Sequence, residues 1–203
     1  MERREMIRMI TLLTGTAFIG GDLLLSGCKT PVKKGAGFIN SNIALLDEVG
    51  ETIIPTTDTP GAKATKIGAF MQTMVSDCYT QAEQDAFING MTSLNESCQK
   101  VNGKPFLTCS AEQRKTFLES LEKEAKIFNK AKEDKDEALR EAARKEEKEF
   151  INSPSHYYSM IKQLTLFGYF TSEIGATKAL RHNPLPGKYD GAYPYKKGDK
   201  AWA

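Results

Sequence analysis

The chain has 203 residues, with 28 Lys and Arg against 26 Asp and Glu, a formal net charge of +2, and 40% hydrophobic residues. That is enough chain for one domain with a real core. The near balance of charge, with Lys interleaved among Glu, supplies no basic face and excludes a nucleic-acid partner from the reading.

Residues 1–27 read as an address. Arg3 and Arg4, followed by Met6, Ile7 and Arg8, look like a twin-arginine export signal. Leu25-Ser26-Gly27-Cys28 looks like a lipobox, in which small residues admit a peptidase that cuts before the cysteine. The stretch from Ile7 to Leu25 is interrupted by Thr11, Thr14, Gly20, Gly21 and Asp22, which makes it a poor membrane span. The expectation is an exported lipoprotein on the periplasmic face of a bacterial membrane, beginning at lipidated Cys28. More than one acyl chain, at about 0.8 kcal/mol per buried CH2, anchors stably. Residues 28–39 form a polar tether, and residues 40–203 form the working domain.

In chain order, Asn40 to Ile54 carries Ile43, Leu46, Val49 and Ile53 at helical spacing, with Asp47, Glu48 and Glu51 on the other side, and Pro55 ends it. Thr56 to Gly61 is a turn-rich loop. Ala64 to Cys78 is a second helix, with Ile67, Phe70, Met71, Met74 and Val75 as its stripe. Thr80-Gln-Ala-Glu83 and Ser110-Ala-Glu-Gln113 are capping boxes that open two further helices. The first has the stripe Phe87, Met91, Leu94, Cys98, and the second Phe117, Leu121, Ala125, Phe128.

Residues 130–149 hold seven basic and eight acidic residues and read as a solvated helix or a charged, partly ordered insertion. Ser155 to Phe170 resumes as an amphipathic helix with Tyr158, Ile161, Leu164, Leu166 and Phe167, and Glu173 to Leu180 is one more short helix. From His182 the chain is rich in Pro, Gly and Tyr. The predicted fold is mainly α, an irregular helical bundle with an extended C-terminal tail.

Cysteine usage suits an oxidising compartment. Cys98 and Cys109 flank a short loop and are the disulfide candidate, with Cys78–Cys109 as the alternative pairing. The bridge would contribute roughly 2–3 kcal/mol in the chain-entropy reading. There is no Cys-x-x-Cys, no Gly-x-Ser-x-Gly and no Gly-x-Gly-x-x-Gly. The two histidines, His156 and His182, stand in no metal-ligand spacing. No catalytic, cofactor-binding or metal-binding residue is assigned.

Three stretches together resemble the gluconate 2-dehydrogenase subunit 3 family. They are Leu45 to Ala62, Met74 to Tyr79 with Glu83 to Phe87, and Leu164 to Ala176, with Leu185 to Gly191 in support. The resemblance covers about residues 40–203. It implies a non-catalytic small subunit that binds, helps export and anchors a large FAD-dependent oxidoreductase of the glucose-methanol-choline type, acting on sugars or sugar acids. The FAD is expected in that partner, and electrons leave toward a cytochrome or membrane acceptor. The lipobox and the charged stretch depart from the shared pattern.

The surface expected to grip the partner is the segment Phe167-Gly-Tyr-Phe-Thr-Ser-Glu-Ile-Gly175 plus the tail. Its candidate residues are Phe167, Gly168, Phe170, Glu173, Tyr189, Tyr193 and Trp202. The competing expectation is a free-standing ligand-binding or enzymatic lipoprotein, with a pocket using His156, Tyr157, Tyr158 and Glu173. A transient export escort is the third.

Overall fold

A computed structural model describes residues 36–202 apart from Pro186, Tyr189 and Tyr195. Arg3, Arg4 and Cys28 lie outside the described residues, as does Tyr189.

Six α-helices and no strand occur among the described residues, the bundle that the patterning predicts. They are α1 (Ala36–Ser41), α2 (Ile43–Ile53), α3 (Ile67–Cys78), α4 (Gln81–Asn102), α5 (Ala111–Lys145) and α6 (Tyr157–Thr171). Short 3-10 turns cover Ala62–Thr65 and Phe106–Thr108, and a π turn covers Gly175–Ala179. The second predicted helix starts at Ile67, the first residue of its apolar stripe, rather than at Ala64. Lys66 adopts a left-handed conformation with φ 54° and separates the Ala62–Thr65 turn from α3. The short helix expected at Glu173–Leu180 is present, α-helical at Glu173 and Ile174 and widening to a π turn over Gly175–Ala179.

Both capping boxes close. The Thr80 hydroxyl accepts the Glu83 N–H while Glu83 Oε2 accepts the Thr80 N–H at 2.9 Å. Ser110 and Gln113 do the same at the start of α5. Each such cap is worth about 1 kcal/mol. Gly103, at φ 69°, ends α4 in the left-handed conformation that glycine adopts without steric cost.

Helix α6 packs against α2, α3, α4 and α5. It therefore buries several sides at once, with Tyr158, Met160, Ile161, Leu164, Thr165, Gly168 and Tyr169 all inaccessible. The remaining core comes from the predicted stripes, including Leu46 and Val49 of α2, Met71 and Val75 of α3, Phe87, Met91 and Leu94 of α4, and Phe117 and Leu121 of α5. Each large side chain buried this way contributes about 1.5–3 kcal/mol.

The acidic face of α2 fastens the loop that follows it. Glu51 accepts from Thr56 N–H at 2.8 Å, Thr56 Oγ1 at 2.7 Å and Lys63 N–H at 2.9 Å. A Cβ at Gly61 would lie 2.4 Å from both Glu51 oxygens, so only glycine fits beside this clasp. Asp47 accepts the Gly68 N–H of α3 at 2.7 Å. Glu48 pairs with Lys63 at 2.7 Å and with Arg114 of α5. The Lys63 hydrogen bond, joined by Arg114, holds the Glu48 carboxyl below its ordinary range.

The charged stretch does not form a separate element. Residues 130–145 continue α5 without a break. Nor is it wholly solvated: Asp136 is fully buried, and its carboxylate accepts from Ser153 Oγ at 2.8 Å and Ser153 N–H at 3.0 Å, with Lys132 Nζ at 3.1 Å. The Ser153 hydrogen bonds hold its pKa down. One acidic residue in the run thus ties the chain returning toward α6 onto the side of α5.

Candidate functional site: the outer face of α6 and the tail

The C-terminal turns of α6 divide their residues between core and surface. Gly168 is buried where α6 crosses α3, and an added Cβ would come within 2.5 Å of Ile67 Cδ1 and Phe70 Cδ1. Gly168, a candidate for the partner surface, is thus closed off by the chain's own α3 and presents no surface. Tyr169 is 1% exposed, and its hydroxyl donates to the Pro60 carbonyl at 2.7 Å. This bond joins α6 to the loop that Glu51 organises.

Phe167 and Phe170 face outward, 51% and 42% exposed, beside Leu166 at 40%. Phe167 leans on half-buried Phe70 of α3, with centroids 5.9 Å apart, and Phe170 meets Tyr169 edge-on at 5.1 Å. Leu166, expected on the apolar stripe, is thus on the outside, and so is Phe167, which the sequence places both on that stripe and among the partner-surface candidates. Core contact with α3 and α5 is already filled by Leu164, Thr165 and Gly168, one turn or less away. Glu173 is exposed just beyond the helix end.

The tail returns to its own root. Arg181 N–H donates to the Ala201 carbonyl at 2.8 Å. The Arg181 guanidinium carbon lies 4.6 Å from the Trp202 ring centre and 6.0 Å from that of Tyr193. The same guanidinium reaches the Tyr193 hydroxyl at 3.2 Å and Asp199 at 3.4 Å. Tyr193 and Trp202 meet edge-on at 5.8 Å, each about half exposed. The tail is therefore a closed loop that displays two aromatic edges. Sequence reasoning picked the aromatics but missed Arg181, which lies before the Pro/Gly/Tyr composition begins.

The pocket residues of the competing expectation separate. His156 and Tyr157 line a cleft between α4 and α5, whereas Tyr158 is buried on the opposite side of α6, beside Lys162 and Glu122. Glu173 lines none of these hollows. Burial pushes the Tyr157 and Tyr158 hydroxyls up to about 12, so both stay protonated and neither is poised as a base. Cys98 and Cys109 are buried free thiols with their sulfurs 3.6 Å apart, and Cys78 is exposed. Among the described residues no group of three or more His, Cys, Asp or Glu is placed to hold a metal ion. No helix among them is long and apolar enough to cross a membrane.

Comparison with known proteins gives one match. No curated protein and no solved structure is significantly similar to the chain. The sequence profile of the family described as gluconate 2-dehydrogenase subunit 3 matches residues 40–187. That span takes in α2 through α6, the Glu51 clasp, the aromatic face and the first part of the tail. On that match, the chain belongs to the gluconate 2-dehydrogenase subunit 3 family.

Proposed function

We propose that this chain is the non-catalytic small subunit of a dehydrogenase complex, and that it binds, helps export and anchors a large FAD-dependent subunit of the glucose-methanol-choline type. The observation that carries the reading is the family match over residues 40–187. The outer face of α6 supports it physically. Two phenylalanines and a leucine project from a rigid helix, and aromatic side chains are over-represented among residues that dominate binding energy. The FAD belongs to the partner, the substrate is a sugar or sugar acid, and electrons pass to a cytochrome or membrane acceptor. The twin-arginine signal, with Arg3 and Arg4, carries the pair across the membrane, and lipidated Cys28 holds it on the periplasmic face. In that oxidising setting Cys98 and Cys109 close as a disulfide.

The test is to tag the chain in its native membranes, extract it gently, and record what co-purifies together with the visible spectrum. A stoichiometric large subunit with a flavin spectrum is expected. A colourless lone lipoprotein, from cells shown to make the flavoprotein, refutes the reading. The surface is tested separately with Phe167→Asp and Phe170→Asp. Truncating a central interface aromatic costs about 2 kcal/mol or more, so each variant should lose the partner. Because both side chains are about half exposed, each should melt near the unaltered chain.

A further inference from the structure

A second feature lies away from the aromatic face. A cleft of about 700 Å3 opens between α4 and the middle of α5, and the chain entering α6 closes one end. That volume is within the range of small-molecule sites. Three things keep the cleft open. The α4 wall presents only small side chains, Ala86, Gly90 and Ser93, together with Asn89. The α5 wall contributes Phe128 and Ala131. The closing segment is pinned from both directions, by Ser153 on Asp136 and by His156 N–H on Asn129 Oδ1 at 2.8 Å. Its exposed lining is mostly apolar by area, although Glu124, Lys132 and Lys135 of α5 also line it, and one place joins aromatic rings to polar groups.

That place is His156. The side chain is only 7% exposed. Its Nδ1 accepts the Tyr158 N–H at 3.2 Å and so caps α6. A neutral imidazole whose Nδ1 accepts carries its proton on Nε2. Burial keeps this ring neutral by lowering its pKa. His156 and Glu124 both line the cleft, and Nε2 stands 3.9 Å from Glu124 Oε1, beyond hydrogen-bond length. The ring is flanked by Tyr157, tilted at 4.4 Å, and by Phe128, edge-on at 5.4 Å. A donor and an acceptor thus stand 3.9 Å apart, too far for a direct bond. An oxygen placed about 2.8 Å from each would accept from Nε2–H and donate to the carboxylate. A hydroxyl does both.

We propose that this cleft binds a small aromatic alcohol, its flat ring lying against Phe128 and Tyr157 and its hydroxyl bridging His156 Nε2 and Glu124. A plain hydrocarbon seated in the cleft offers Nε2–H no acceptor.

The experiment uses the whole chain with 2-naphthol as probe and naphthalene as the matched hydrocarbon. Binding is followed by titration and by the imidazole proton signal of His156, one of only two histidines in the sequence. The expected result is saturable 2-naphthol binding at least tenfold tighter than naphthalene, with the His156 signal moving and that of His182 unmoved. Glu124→Ala, at a side chain 68% exposed, should reduce the preference to less than threefold without changing the fold. Ala131→Trp, also at an exposed position, should block both ligands. Equal binding of the two probes, a preference that survives Glu124→Ala, an unmoved His156 signal, or binding that survives Ala131→Trp would each overturn the proposal.

Discussion

Gly90→Ala tests how closely α4 and α6 are fitted. Gly90 lies inside α4, and a Cβ built there falls 2.1 Å from Tyr157 Cγ, 2.2 Å from Tyr157 Cβ and 2.7 Å from Cδ1. Non-bonded carbons prefer about 3.5 Å or more, so the base of the ring must retreat by over an ångström. Rotating χ1 does not relieve a clash with Cβ itself. The first turn of α6 has to shift, and His156 with it. Two terms oppose. Alanine in place of glycine favours a helix by about 0.8–1 kcal/mol. Overpacking costs about 1–3 kcal/mol, and a clash rooted this near the backbone belongs at the upper end. The net expectation is a loss of about 2 kcal/mol, which lowers Tm by roughly 4–8 °C in a chain of this size. Thermal unfolding followed by circular dichroism measures it, with Ser93→Ala, one turn along at an exposed position of the same helix, as the control. An unchanged or raised Tm for Gly90→Ala would show that Tyr157 yields freely and that the packing described here does not fix the start of α6.

Three further outcomes are expected. Arg181→Ala removes the cation that Trp202 and Tyr193 share, worth about 0.5–1 kcal/mol; because Trp202 is the sole tryptophan, its fluorescence should become more accessible to quencher while the helical Tm holds, and unchanged quenching would refute the closed loop. The folded-state pKa of His156 lies below its ordinary 6.5, so its contribution is present above that value and is lost as pH falls through the folded value; unfolding titrations should show stability declining below about pH 6.5, and His156→Asn, which keeps a capping acceptor, should flatten that limb. With their sulfurs 3.6 Å apart, Cys98 and Cys109 should resist thiol reagents in exported protein denatured without reductant, leaving Cys78 as the reacting thiol of the three, and adding reductant should lower stability by roughly 2–3 kcal/mol; three reactive thiols would count against the bridge.

The parts of this fold that sequence reveals are those governed by neighbours a few residues away. Thr80 and Glu83, or Ser110 and Gln113, satisfy each other across one turn, and stripes such as Phe87, Met91, Leu94 repeat with the helix itself. The parts that sequence hides depend on distant partners. Nothing local to Asp136 distinguishes it from the other acids around it; its burial follows from Ser153, which arrives after the chain has turned back. Leu166 and Phe167 look like core because they are apolar, but only a helix in place decides which neighbours already occupy the interior. The closure of the tail on Arg181 is hidden for the same reason, since Arg181 meets Ala201 through a backbone bond and Trp202 through a ring face, which no spacing rule encodes. The cleft is assembled from residues near 90, near 130 and near 155, so no single stretch carries its signature.

Helix α5 is held by two different physical means along its length. Its 35 residues extend about 52 Å at 1.5 Å per residue. Its first half is fixed by Phe117, Leu118, Leu121 and Ala125 in the core. Beyond Phe128 it is held through polar ties, Asp136 to Ser153 and Arg140 to Asn152. Segments tied by few apolar contacts open below the global unfolding free energy, as separate cooperative units. Amide hydrogen exchange should therefore divide this one continuous helix into a slow N-terminal part and a faster C-terminal part, the latter opening together with residues 146–155. One wall of the cleft then belongs to the less stable unit. Ligand seated there would register as slowed exchange in the second half of α5, while the core half exchanged as before.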